Sequence, residues 1–366
     1  MDNFIVSWAH KRCDTYRQSK RNIKLDILKG IAIFCVVWGH FIQQGTLEGI
    51  LRVDNPVEQI IYAFHMPLFM LISGYLMYNS FQRRGLLQQW LHWCKNLVLP
   101  LIAWTLIAEG CIVLRNIILT GTFDFSSISI LDFYQYWFIF ALLICGVIAS
   151  LIKTVLHDKT WIYITAVVIL FVSTFNIFSI GWMWPFFVIG YLINKHSAKM
   201  SKFLPKLSLA CLIAFPILVM FYSAASFSYI SILSVTEIIN NVLTGIIPSF
   251  PTFEYLDAIS ANIYKILTGI AGCGFVYCIV EKLTQANMPV ISAAFSWFGQ
   301  ESLLIYFIQR IIIEIFIGRY FYATDIFYYD FILTLFLSII GTIIFSLLAS
   351  AIHKNKITNV VLAGGR

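Results

Sequence analysis

The sequence predicts an all-α polytopic membrane bundle of about ten transmembrane helices with both termini cytoplasmic, and three observations carry that prediction. Apolar residues make up 60% of the 366 and charged residues only 12%, far from the balance of a water-soluble domain. The apolar residues fall in runs of roughly 20, the length that crosses a ~30 Å hydrocarbon layer. The Lys and Arg between those runs alternate as membrane topology requires.

The runs lie at about 27–46, 57–79, 96–119, 134–156, 160–179, 181–194, 206–224, 259–281, 299–317 and 329–352. The sixth is short and weak. With the amino terminus inside, every Lys and Arg falls in an inner segment except Arg52 and Arg319 in outer loops and Arg115, Lys265 and Arg310 within spans. Residues 1–24 form a basic cytoplasmic segment whose following apolar run lacks a small-residue cleavage site, so a retained first helix is expected. Residues 25–353 form one membrane domain and 354–366 a cytoplasmic tail. An eleventh span at Ser228–Ile247 would carry Glu237, Asn240 and Asn241 and would turn the last inner cations outward. That stretch reads instead as an interfacial or re-entrant outer segment. Phe81–Lys95 mixes Arg83 and Arg84 with Leu86, Leu87, Trp90, Leu91 and Trp93, which suits a helix lying in the inner headgroup plane.

Several function classes drop out. The eight cysteines form no CxxC pair and have no companion histidines at zinc spacing, so neither a disulfide framework nor a metal site is expected. The net charge of +7 is spread through short loops rather than clustered on a soluble face, which argues against nucleic acid as a partner. Membrane lipids are the expected surroundings, and no bound cofactor is expected.

Ionisable residues inside spans are costly and therefore candidates for chemistry. Lys29 and His40 are eleven residues apart, roughly 16 Å along one face of the first helix. His40 and His65 lie at similar depths, and Glu109, Gln309, Arg310 and Glu314 also fall in the middle or outer half, whereas Arg83, Arg84 and Lys95 stay with Lys29 at the inner surface. A neutral imidazole can take the proton of an acceptor hydroxyl. Inner cations suit phosphates. A donor with a phosphorylated cytoplasmic head and a reactive group ~15 Å away, as in a coenzyme A ester, would match the two layers. Arg310 and Glu314 stand at i and i+4 and read as a local ion pair. Gly269, Gly272 and Gly274, inside a span, read as close helix packing.

Asp26–His40 (DILKGIAIFCVVWGH) and Phe64–Leu76 (FHMPLFMLISGYL) resemble the first and second helices of the acyltransferase-3 family of membrane proteins. Arg83 and Arg84 resemble the basic residues that follow, Tyr136–Phe138 the fourth helix, and Ser302–Gln309 (SLLIYFIQ) the ninth. The resemblance covers essentially the whole chain, on the single-domain branch that includes fucose O-acetylase-like members. It implies acyl transfer from an acyl-coenzyme A, most often acetyl, to a hydroxyl of a cell-surface or lipid-linked glycan in a bacterial inner membrane. It further implies His40 as the catalytic histidine, with support from Lys29, Asp26 and His65, donor binding by Arg83 and Arg84, and acceptor contact or relay at Gln309 and Tyr306. One departure stands out. Where the ninth-helix pattern closes with His, this chain has Gln309, whose amide can hydrogen-bond substrate but cannot serve as a base. The segment Ser226–Ala258 is expected to cap the site from outside. The rival from another class, a transporter of a glycan or lipid-linked intermediate, predicts paired discontinuous helices in two related halves, which the sequence does not display.

Overall fold

In a computed structural model the chain is described over residues 2–18, 21–44, 55–121, 135–172, 179–222, 253–317 and 328–365. All elements among them are helical: α1 (Asp2–Gln18), α2 (Ile23–Gln44), α3 (Pro56–Arg83), α4 (Leu86–Trp93), α5 (Leu99–Thr120), α6 (Trp137–Val155), α7 (Thr160–Val172), α8 (Ile180–Lys195), α9 (Ser197–Met220), α10 (Phe253–Gln285), α11 (Pro289–Gln300), α12 (Ser302–Gln309), α13 (Thr334–Lys354) and α14 (Lys356–Ala363). Wider π-helical stretches occur at Cys94–Val98, Arg310–Ile317 and Tyr328–Leu333. Among the described residues, 7 helices are long and apolar enough to cross a membrane. The fold is a polytopic membrane helical bundle.

The windows at 160–179, 181–194 and 299–317 correspond to shorter pieces. These are the 13-residue α7, the 16-residue α8, and α12 running into a π-helical stretch. The proposed outer segment Ser228–Ile247, and most of the cap Ser226–Ala258, lie outside the described residues. The segment expected in the inner headgroup plane is helical and joined to the next span. α3 runs on to Arg83, and α4 continues through the π turn at Cys94–Val98 into α5, so Leu86–Thr120 is one apolar helix of 35 residues. Neither Gly nor Pro occurs between Leu86 and Leu99, so nothing ends the helix before the span begins. The basic segment 1–24 and the tail 354–366 also contain helices, α1 and α14.

The chain forms two compact units. Unit 1 comprises Met1–His65, Leu91–Tyr136 and Val276–Arg366. Its axis is α2, flanked by α11 and α13, with α1 packed along α11. The closest approach is at Gly30 and Gly299. A Cβ on Gly299 would fall 1.8 Å from the Asp26 carbonyl oxygen, and one on Gly30 would fall 1.9 Å from that of Phe295. Only glycine permits this backbone contact, the usual way that helices gain packing energy when lipid offers no hydrophobic drive.

On α13 the polar residues point inward and the apolar ones outward. Thr334, Ser338, Thr342 and Ser346 repeat every fourth residue and are fully buried, while Phe336, Ile340 and Leu347 are more than half exposed. Ser338, Thr342 and Ser346 return their hydroxyl protons to the carbonyl four residues back, at 2.5, 2.6 and 2.8 Å, and Thr334 Oγ1 accepts from Trp38 Nε1 at 3.0 Å. This inverted pattern satisfies each hydroxyl within the bundle and leaves hydrocarbon to face lipid. The short α14 docks on α5: the Asn355 side chain caps its first turn, and Leu362 carbonyl accepts from Trp104 Nε1 at 3.0 Å.

Unit 2 comprises Met66–Trp90 and Trp137–Phe275. Its centre is α8, the weak sixth window, whose shortness fits a helix enclosed by protein: Trp184, Phe186, Phe187 and Tyr191 are fully buried. Tyr163 stacks on Trp184 and Tyr191, and both tyrosine hydroxyls donate to Asp158 Oδ1 at 2.9 and 3.0 Å. Asp158 also pairs with Lys195 at 2.9 Å. Where α3 meets α8, a Cβ on Gly190 would fall 1.9 Å from the Leu71 carbonyl oxygen. Gly274 meets the Cys211 sulfur, so the close-packing reading of that glycine holds.

Candidate active site

The outer end of α2 carries the polar cluster with the most chemistry in unit 1. His40 presents Nδ1 to Glu314 Oε1 at 3.4 Å, and the two side chains are 25% and 22% exposed. One ring nitrogen thus faces a carboxylate, and Nε2 of His40 has no partner among the described residues. Around the pair, Gln43 Nε2 donates to the Tyr62 hydroxyl and, at 3.3 Å, to Glu58 Oε1, with Glu58 fully buried. Gly39 admits the Tyr62 ring, since a Cβ there would lie 3.0 Å from Cε2. His65 Nδ1 bonds the Ile61 carbonyl at 2.7 Å, its ring packs edge-on to Tyr62, and it lies within electrostatic reach of His40. The similar depths read from the sequence therefore place both histidines in one neighbourhood.

Glu314 is where sequence reasoning went astray. The expected partner was Arg310, four residues earlier. The segment Arg310–Ile317 is π-helical, and its wider turn breaks the i, i+4 alignment of an α-helix. Glu314 turns to His40, while the Arg310 guanidinium lies 4.9 Å from the Tyr136 ring centroid in a cation–π contact. The signal that could have found the pair was depth, since both residues lie in the outer half. Glu58, Gln43 and Tyr62 were missed because they sit at helix ends, where hydropathy says little.

The second layer lies at the inner end of α2. Asp26, 2% exposed, gathers Lys29 at 2.7 Å, Arg21 at 2.5 and 3.2 Å, and the Tyr16 hydroxyl at 2.8 Å. Gln300 donates to the Tyr16 oxygen, and Arg12 donates to Gln300 and Ser296. Burial, and then Asp26, push the Tyr16 hydroxyl up to about 12, so it stays protonated at any physiological pH. Burial opposes the charge on Arg21, and Asp26 more than restores it. Lys29 thus sits with Asp26, at the opposite end of α2 from His40. A direct Lys29–His40 contact is not formed, as the roughly 16 Å of helix between them dictates.

Gln309 is 2% exposed; its amide nitrogen donates to the Tyr306 carbonyl at 3.4 Å, and its Oε1 has no partner among the described residues. Tyr306 packs edge-on against Tyr136 at 6.0 Å. Arg83 and Arg84 belong to unit 2. Arg83 is exposed, and Arg84 donates to Ser80 Oγ at 2.8 Å, which in turn donates to Gln89 at 2.7 Å. No cluster of metal-ligating residues occurs among the described residues.

The model of the acyltransferase-3 domain, described as "Acyltransferase domain", matches residues 22–351. The chain is similar to "Nodulation protein NolL" of Sinorhizobium fredii, 28% identical over 191 residues that cover 48% of this chain and 50% of that one. It is also similar to "Nodulation protein NolL" of Mesorhizobium japonicum, 32% identical over 187 residues, covering 48% and 49%. The chain thus matches about half the length of these relatives. No solved structure matches. The family match takes in both layers of α2, the His65 turn and the π-helical segment that carries Glu314, and the chain belongs to the acyltransferase-3 family of integral membrane acyltransferases.

Proposed function

We infer that this acyltransferase moves an acyl group, most often acetyl, from acyl-coenzyme A to a hydroxyl of a cell-surface or lipid-linked glycan in the inner membrane of a bacterium. The observation that carries the reading is the His40–Glu314 pair at 3.4 Å with His40 Nε2 left for substrate. Nε2 takes the proton of the acceptor hydroxyl as its oxygen attacks the thioester carbonyl. The tetrahedral intermediate then expels the thiolate of coenzyme A, which takes the proton back from the imidazolium. Glu314 holds the ring through Nδ1 and offsets the positive charge that forms on it, the part a carboxylate plays beside a catalytic histidine. Tyr62 and Gln43 frame the pair. The buried Oε1 of Gln309 is a hydrogen-bond acceptor suited to a second sugar hydroxyl, and Tyr306 flanks it. Lys29, Asp26 and His65 act in support, by fixing the two ends of the α2 layer. Arg83 and Arg84 supply cations for the phosphates of the donor.

The test is transfer of radiolabelled acetyl from acetyl-coenzyme A into the glycan of a producing strain, comparing cells with and without the gene. Label that appears in the glycan only with the gene supports the reading. Glycan export that fails without the gene, with labelling of the remaining glycan unchanged, would overturn it in favour of transport. Within the same assay Glu314→Gln is expected to lower transfer by about tenfold, since it keeps the shape but loses the charge beside the imidazolium.

A further inference from the structure

The wall of unit 1 carries a groove that the chemistry at His40 does not use. Its volume is 520 Å³, and it runs between α5 and α13, over α12 and the π-helical stretch that follows, to the turn from α13 into α14. Trp104, Ile308 and Ile311 are buried and form its floor, while Ile107 and Leu348 are exposed and form its rims. Both rims belong to helices long and apolar enough to cross a membrane, so the groove opens toward lipid. From Leu348 to Asn355 it follows α13 for roughly 10 Å, which keeps it within the inner half of a ~30 Å hydrocarbon layer. The positive-inside pattern puts the Asn355 end on the cytoplasmic side.

Three features identify what fills it. First, the shaft offers water no bond: Trp104 Nε1 is taken by the Leu362 carbonyl, and Thr358 Oγ1 donates to the Ile352 carbonyl at 2.7 Å. Hydrocarbon suits such a lining and water does not. Second, the cytoplasmic end is cationic. Asn355 caps α14 through Oδ1, and its amide nitrogen has no partner among the described residues. Lys354 and Lys356, on either side of it in sequence, are exposed and form no ion pair among the described residues. Third, no carboxylate on the groove's walls counters them. Residues 86–108 and 334–366 contain no Asp or Glu, and Glu301 is taken by His353 at 3.0 Å. On α14 the exposed apolar pair Ile357 and Val361, one turn apart, suits a helix lying at the inner interface. A chain alone would need no cations, and a soluble anion would need no apolar groove.

We propose that the groove holds one acyl chain of an anionic phospholipid from the inner leaflet, with the lipid's phosphate at Lys354, Lys356 and the Asn355 amide. Two ammonium groups with no carboxylate beside them favour an anionic headgroup over a zwitterionic one. Ile311 and Ile312 belong to the same π-helical stretch as Glu314, so the chain packs against the segment that carries it.

Occupancy is read from Trp104 fluorescence in the full chain, in phosphatidylcholine nanodiscs with rising fractions of brominated-chain phosphatidylglycerol or brominated-chain phosphatidylcholine. The Trp104 signal is the difference made by Trp104→Phe, taken in each background. Brominated phosphatidylglycerol is expected to reach half of its full quenching at a mole fraction at least about tenfold lower than brominated phosphatidylcholine. Lys354→Gln combined with Lys356→Gln is expected to bring the two lipids within about twofold of each other. Ala351→Phe, which puts a ring into the groove, is expected to lower full quenching by at least about half. The lysines are exposed, so the paired variant keeps the test valid if Ala351→Phe fails to fold. Equal half-quenching fractions in the wild type mean that the groove takes hydrocarbon without reading the headgroup, and overturn the proposal. A preference that survives the loss of both lysines, or full quenching unchanged by Ala351→Phe, overturns it too. No quenching by either lipid means that protein, such as a second copy of this chain, covers the groove, and is equally fatal. No acyl transfer enters the readout, so any of these failures leaves the acyl-transfer reading untouched.

Discussion

His40→Ala is expected to lower acyl transfer by about 10²–10⁴-fold while leaving the protein folded and membrane-inserted, the range that loss of a positioned general base gives. The side chain is a quarter exposed and pairs with Glu314, so alanine removes little packing. Donor affinity is expected to change less than threefold, because the inner layer around Asp26, roughly 21 Å away along α2, is untouched. The check is initial rate against donor concentration, at membrane abundance matched by immunoblot. A loss that appeared wholly in the donor's KM would mean that His40 binds rather than reacts.

Gly299→Val is expected to prevent assembly of unit 1. Even the first carbon of the new side chain would lie 1.8 Å from the Asp26 carbonyl oxygen and 2.9 Å from the Gly30 nitrogen, both backbone atoms that cannot rotate away. Relief requires α2 and α11 to separate along their main contact, which goes beyond the ~1–3 kcal/mol of ordinary overpacking. Monodisperse protein recovered after detergent extraction should fall at least about tenfold, since ~1.4 kcal/mol is already a factor of ten. Gly110→Ala is the control. No atom lies within 4 Å of the position its Cβ would take, so recovery should equal wild type or exceed it slightly, as expected when alanine replaces an exposed helical glycine. Equal recovery of Gly299→Val would show that the α2–α11 crossing is not what holds unit 1 together.

The sequence made the membrane class and most spans readable, because hydrocarbon thickness sets run length and lipid tolerates few charges. His40, Lys29 and the second-helix motif were readable as a family pattern. What hydropathy cannot convey is which residues face each other across helices. The Gly30–Gly299 contact depends on the register of two helices some 270 residues apart in sequence, and a lone glycine in a span carries no label. α8 read as the weakest window because enclosure by protein, rather than by lipid, makes length unnecessary. Glu314 was visible at the right depth but was assigned to Arg310 on α-helical geometry, and no feature of RIIIEIFI announces a π-helical turn. The role of α1 was hidden for another reason. Its basic residues read as topology anchors, whereas Arg12 and Tyr16 reach Gln300 and Asp26 only once α1 lies along α11.

The central claim is that His40 and Glu314 work as one catalytic unit, and a double-mutant cycle tests it most directly. Acyl transfer is measured for wild type, His40→Ala, Glu314→Gln and the double variant at equal abundance, each corrected for the rate without protein. The account predicts that Glu314→Gln lowers the wild-type rate by about tenfold and leaves the residual rate of His40→Ala unchanged, since a positioning carboxylate has nothing left to position. The same tenfold loss in both backgrounds would mean that the two residues act independently, and would contradict it.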